Sequence, residues 1–183
     1  MSDRGGFGPP GHLVRRFAGS LWPGGPGVAG EAWARNWLAA PEVALWARMH
    51  GADRRHAVAV ARRAATALGS ADGSGLSRAV LAAALLHDVG KVESQTGVFA
   101  RAAATIVALV AGRGRVAGWA TCPGGWRRRA GLYVSHDRVG ADMLSAAGSD
   151  PLVVVWAAEH HLPAKCRSVE PRVAGVLAAA DDD

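Results

Sequence analysis

The chain has 183 residues, half of them hydrophobic, with 21 lysines and arginines against 15 acidic residues and a formal charge of +6. One tyrosine, three phenylalanines and two cysteines argue against a large antiparallel sheet and against a disulfide framework. A chain of this length fits one domain that buries its own core. We therefore expect an all-α domain with a mild preference for anions, although a composition rich in Arg, Ala and Gly gives such a charge without any nucleic-acid role.

The N-terminal segment differs in composition from the rest. Glycine and proline dominate the first 30 residues, which lack helical periodicity, so we predict a flexible arm over 1–30 and the folded domain over 31–183. The longest apolar runs, 80–86 and 102–111, are too short to span a bilayer, and no signal peptide is evident. The two cysteines form no CxxC pattern. We expect a cytoplasmic protein without membrane association; the sequence does not indicate its oligomeric state.

Helical spacing of apolar residues begins at Glu31, and Pro41 suits the first turn of a second helix. We expect the tryptophans of these two helices to lie in the core. A third helix is predicted over 52–68, where His56, Val60 and Ala64 fall on one stripe. This stripe turns His56 inward.

The next predicted helix, over 76–86, ends in an unusual group of side chains. Its seven apolar residues, 80–86, run directly into His87 and Asp88, and Gly90 and Lys91 follow. An imidazole, a carboxylate and an ammonium thus stand at the end of a buried helix. Two adjacent ligands cannot complete a metal site, so further ligands must come from other elements.

The C-terminal half contains more helices and one basic segment. Helices are predicted over 96–111, 130–147, 151–161 and 171–180. Between the first two, residues 112–129 form a glycine-interrupted basic loop with two tryptophans. Its arginines Arg127, Arg128 and Arg129 are candidates for binding an anionic substrate, and a solvated insertion is the alternative. Within 130–147 the small Gly140, on one stripe with His136, lets a neighbouring backbone approach closely.

The candidate ligands occur in a recognisable order. His56, then His87-Asp88, then Asp181 form the pattern H…HD…D, which resembles the HD-domain superfamily of metal-dependent phosphohydrolases from about residue 50 to the C-terminus. His136-Asp-Arg-Val-Gly-Ala and Glu159-His-His resemble the extra histidines of the dinuclear HD-GYP-like branch. The chain departs from that branch where Leu-Pro-Ala-Lys follows the paired histidines, and it contains no GYP motif.

The resemblance implies an HD-type helical bundle with a central metal site. The implied ligands are His56, His87 and Asp181 for a first metal, His136, His160 and His161 for a second, and Asp88 as the bridge. The register of the last helix favours Asp181 over Asp182 and Asp183. Such a nitrogen-rich set favours one or two ions of Mn, Fe, Co, Ni or Zn over Mg.

The resulting hypothesis is a phosphohydrolase acting on a nucleotide or related small-molecule phosphoester. Asp88 and Lys91 would be catalytic, and Lys91 would contact the substrate phosphate together with Arg127–Arg129. One alternative is a non-catalytic HD-fold module that binds nucleic acid or protein, with nucleic acid possible but not favoured. The other is a di-iron oxygenase on the same ligands.

Overall fold

The structure, a computed structural model, describes residues 24–70, 73 and 75–182. All regular structure in these residues is helical, without a β-strand, which confirms the predicted all-α class. Most of the predicted arm, residues 1–23, lies outside the described residues. The first described helix begins at Gly27, before the predicted start of the domain at residue 31.

The described helices follow one another with short connections. In chain order the α-helices are α1 Gly27–Arg35, α2 Ala40–Arg48, α3 Gly51–Ala67, α4 Arg78–Leu86, α5 Lys91–Ser94, α6 Val98–Ala111, α7 Arg113–Ala117, α8 Gly125–Val134, α9 His136–Ala146, α10 Pro151–Glu159 and α11 Pro171–Asp182. Two short 3₁₀ helices, Gly118–Thr121 and Ala164–Cys166, lie between α7 and α8 and between α10 and α11.

Helix α4 is the centre of the main core. Every residue from Ala79 to Leu86 is buried, because an uninterrupted apolar sequence leaves no face for water. The helix packs against α3 and α10. Trp46 of α2 and Trp156 of α10 are the largest buried side chains around it. A rigid, fully packed helix therefore carries the residues that follow Leu86.

A second, smaller core joins α6, α7 and α8. Its buried residues all have small side chains, namely Ala104, Ala108, Val116, Ala130 and Val134. These residues contact one face of α6, and the opposite face of α6 is exposed. The smaller core therefore covers only half of its most apolar helix.

Two predictions about the basic segment and the helix after it are wrong. The predicted loop 112–129 contains α7 and the first turns of α8, so Arg127–Arg129 are helical. The glycines there lower helix propensity, but burial of Val116 and Ala130 against α6 overrides it. The predicted single helix 130–147 is broken at Ser135, whose backbone leaves the helical region with φ −103° and ψ 16°.

No single described helix is long and apolar enough to span a membrane. Arg78–Ser94 and Val98–Ala111 reach that length and composition only together, as a pair bent by 91°.

Candidate metal centre

Four of the predicted ligands meet at the end of α4. His87 and Asp88 directly follow the helix, His56 reaches them from α3, and Asp181 reaches them from α11. The Nε2 atom of His56 lies 2.8 Å from Oδ1 of Asp181, and Nε2 of His87 lies 3.6 Å from the same oxygen. His56, His87 and Asp88 each bring one ligand atom within 4.8 Å of the others. We call these four residues the first group, and they could hold one metal ion.

The other three histidines form a second group. His136 opens α9, and His160 and His161 directly follow α10. One ligand atom from each lies within 4.8 Å of the others, and the Nε2 atoms of His136 and His161 are 3.2 Å apart. Three imidazoles converging from two helices could hold a second ion.

The carboxylate of Asp88 belongs to the first group and also faces the second. Its Oδ2 is 3.4 Å from Nε2 of His87 in the first group. Its Oδ1 is 3.2 Å from Nε2 of His136 and 3.9 Å from Nε2 of His160 in the second group. Each oxygen therefore faces a different group, which is the arrangement that a bridging ligand requires.

Backbone hydrogen bonds orient three of the rings. The Nδ1 atoms of His87, His136 and His160 each bond to the carbonyl three residues earlier, at 2.9, 2.7 and 2.9 Å. This leaves each Nε2 directed at the centre, as in protein metal sites. Among the described residues, no hydrogen-bond partner reaches the buried Nε2 of His87 or His160. Because such buried nitrogens are costly unless a ligand satisfies them, the donor set fits a divalent metal.

The two groups differ in their protonation. Burial opposes a charge on His87, but the carboxylates of Asp88 and Asp181 outweigh it and raise the pKa of His87 to about 10. Burial and the nearby His87 lower the pKa of His160 to about 3. Burial and the neighbouring His160 also lower the pKa of His161. At neutral pH the first group therefore holds a positive charge on His87, whereas His160 and His161 are neutral.

The chain also matches a known family. A family model described as HD domain matches residues 53–182, which is more than half of the chain. The chain belongs to the HD-domain family. HD domains form a superfamily of metal-dependent phosphohydrolases and bind divalent metals. Searches of curated proteins and of solved structures found no match.

A close backbone contact joins the two groups of this HD domain. A Cβ atom placed on Gly90 would overlap the carbonyl oxygen of His136 and the amide nitrogen of Gly140. Only glycine allows this approach, which brings the turn carrying Asp88 against the beginning of α9. The predicted role of Gly140 is confirmed, since a Cβ there would lie 3.1 Å from the backbone nitrogen of Gly90.

An arginine that the sequence analysis did not single out anchors the last ligand. The Nε and Nη2 atoms of Arg63 donate to the carbonyl oxygen of Ala180 at 2.9 and 2.6 Å, directly before Asp181. Arg63 stands seven residues after His56, roughly two helical turns along the same face of α3. The sequence signal for Arg63 was a charged residue on the same helix face as His56, a face otherwise predicted to point inward.

Arg167 holds the turn that carries the paired histidines. Its Nη2 donates to the carbonyl of His160 and its Nε to the carbonyl of Leu162, both at 3.0 Å. Its guanidinium lies over the ring of Trp156, 5.3 Å from the centroid. Arg167 follows a proline and a short 3₁₀ helix, so no periodic pattern in the sequence points to it.

Lys91 lies beside the centre at the beginning of α5. Its ammonium forms an ion pair with Oδ2 of Asp88, and the residue is only 9% exposed. Burial alone would raise the pKa of Asp88, but Lys91 and His87 lower it well below the usual value. Asp88 is therefore ionised at neutral pH and available as a ligand.

The three predicted substrate-binding arginines are exposed at the beginning of α8, whose other end leads to His136. Arg128 and Arg129 line a cavity of about 220 Å³, together with residues 93–95 and 124–125. Arg127 lies over the ring of Trp119, at 5.6 Å. Arg128 and Arg129 thus lie beside residues 93–95, which follow Lys91 in the chain.

Proposed function

We propose that this HD domain hydrolyses a nucleotide or a related small-molecule phosphoester, with two divalent metal ions held by the two groups. The observation that carries the proposal is the position of Asp88, which presents one oxygen to each group. A divalent metal supplies Lewis acidity that activates water and offsets charge on phosphoryl oxygens. The five imidazoles around Asp88 favour Mn, Fe, Co, Ni or Zn.

The protein's own residues have separate tasks in this proposal. Asp88 holds the two groups together, and the Nδ1 hydrogen bonds keep the imidazole rings in place. Lys91 provides a buried positive charge next to Asp88 and offsets charge on a bound phosphate. Arg128 and Arg129 bind an anionic part of the substrate that lies farther from the reacting phosphate.

Two alternatives use the same fold. A di-iron oxygenase would use the same ligands, and oxygen-dependent turnover would favour it. The cations available to bind phosphate, Lys91 and Arg127–Arg129, favour the phosphohydrolase. A non-catalytic module would use the exposed arginines of α8 to bind nucleic acid or protein. Steeply salt-dependent binding to single-stranded nucleic acid, without turnover, would favour that module.

The first experiment is elemental analysis of metal per chain, after reconstitution with Mn, Fe, Co, Ni or Zn. We expect about two equivalents in the native chain and almost none in the double variant His87→Ala/Asp88→Ala. His50→Ala is the matched control, because His50 is an exposed histidine at the beginning of α3, outside both groups. The metal form with two equivalents is then tested against nucleotides and bis(p-nitrophenyl) phosphate.

Each outcome has a definite meaning. A metal content of one equivalent per chain would mean that the second group does not bind metal. No metal under any reconstitution condition would refute the enzyme and leave the binding module. Two equivalents without turnover of any phosphoester would refute hydrolysis while keeping the metal centre.

A further inference from the structure

Helix α6 has apolar residues on every side, yet only one side is covered. Ala104 and Ala108 are buried against the smaller core. On the other side, Ile106, Leu109 and Val110 remain 61%, 56% and 85% exposed. A helix that is hydrophobic all round is normally buried, and contiguous exposed apolar patches usually mark an interaction site.

The exposed side has the residue spacing of a surface on which two helices pair. We call its residues Phe99, Ala103, Ile106 and Val110 the seam. Ala103, Ile106 and Val110 are separated by three and four residues, and Phe99 continues the spacing one step earlier. These are the a and d positions of a heptad. The flanking positions are also uncharged, since they hold Ala100, Ala102, Val107 and Leu109.

The one charged residue of α6 is turned to the other side. Arg101 donates to both carboxylate oxygens of Asp53 on α3, each at 2.8 Å, and its Nε donates to the carbonyl of Thr96. The seam therefore presents no charge to a partner. It also lacks the flanking cations by which interfacial helices bind anionic lipid.

We propose that this seam pairs with the same seam of a second copy, antiparallel and around a two-fold axis. In that arrangement Ala103 faces the partner's Ile106 and Ile106 faces the partner's Ala103. A small side chain thus meets a large one in both layers, so the surface is complementary to itself. This is an interaction between copies of the chain and does not depend on the metal centre.

The seam is small for a protein interface. A single helix pair of this length buries on the order of 1,000 Å² in total, at the low end of specific interfaces. We therefore expect a reversible dimer with a dissociation constant in the micromolar range.

The test is sedimentation equilibrium of the full chain from low micromolar to several hundred micromolar concentration. We expect Ile106→Glu to weaken dimerisation by at least about 30-fold, because it places two charges in an apolar interface. Val28→Glu is the matched control, since Val28 is 90% exposed on α1, away from α6. It should dimerise like the native chain. Circular dichroism checks that both variants are folded.

A charge-pair variant tests the orientation. In an antiparallel pair, Ala103→Lys/Ile106→Glu places each lysine opposite a glutamate of the partner and should recover part of the dimer lost in Ile106→Glu. A parallel pair would set like charges against each other and recover none.

A chain that stays monomeric at every concentration, or an Ile106→Glu variant that dimerises normally, overturns the proposal. For a monomeric chain, flotation with anionic vesicles would identify lipid as the occupant of the seam. Dimerisation that appears only after deletion of residues 1–23 would identify the chain's own N-terminal segment and equally overturn it.

Discussion

The two ligand groups of the centre are built in different ways. The first gathers side chains from three distant elements, and its His56 and Asp181 are 125 positions apart in sequence. The second comes from two consecutive helices, α9 and α10, and consists of imidazoles alone. The first includes two carboxylates, which raise the pKa of His87, whereas burial lowers the pKa of His160 in the second.

This difference indicates how the two groups bind cations. The first group supplies negative charge of its own, but it must lose the proton on His87 before that ring can coordinate a metal. In the second group the lowered pKa values of His160 and His161 keep these two imidazoles neutral at physiological pH, and the group depends on the shared Asp88 for its negative charge. We therefore expect the first group to bind more tightly and the second to fill only when Asp88 is present.

The largest expected effect comes from removing one ligand from each group in turn. His161→Ala should lower the metal content from about two equivalents to about one, because the first group, which includes Asp88, remains intact. Phosphoester hydrolysis should fall by more than about 100-fold, beyond what loss of an outer-shell partner costs. His56→Ala should leave a chain that binds less than one equivalent of metal, because only the more weakly binding second group keeps all of its ligands. Elemental analysis and initial rates measure both.

His50→Ala is the control for both substitutions, since it also removes an imidazole. Two retained equivalents in His161→Ala would show that His161 is not a ligand. Equal and complete loss of metal in both variants would refute the division into a strong and a weak group.

A second prediction concerns protons released on binding. His87 has a pKa of about 10 and is protonated at pH 7, so metal binding to the first group should release close to one proton. Affinity should then rise about tenfold per pH unit from 7 towards 10. Calorimetric titration of the His161→Ala variant in two buffers of different ionisation enthalpy measures the released protons. A binding heat that is the same in both buffers would contradict the raised pKa.

Much of the centre was predictable because the order of its ligands resembles the HD-domain pattern, and helical spacing supported only some of the positions. The apolar run before His87 fixed the position of α4, and the stripe of Val60 and Ala64 turned His56 inward. The structure brings all seven predicted ligands together. Asp181 could be preferred over Asp182 because the register of the last helix placed it on the inner face.

The parts that were not predictable depend on contacts between distant residues. The break at Ser135 has no proline or glycine at that position to mark it. The helical conformation of Trp126 and Arg127 depends on packing of α8 against α6, which local glycines obscured. Lys91 was predicted to contact phosphate, and its ion pair with Asp88 shows a second role that spacing alone left open.

The smallest expected effect tests whether the anchor of Asp181 matters to the first group alone. Arg63→Met removes both hydrogen bonds to the carbonyl of Ala180 and should weaken metal binding to the first group by about 10-fold, the usual cost of losing an outer-shell partner. Binding to the second group should not change. Arg62→Met is the control, because Arg62 neighbours Arg63 but lies over the ring of Trp33. Competitive titration with a chelating dye measures both affinities.

An equal loss at both groups would mean that Arg63 stabilises the whole fold. No loss would mean that the contact between His56 and Asp181 suffices to hold the last helix in place.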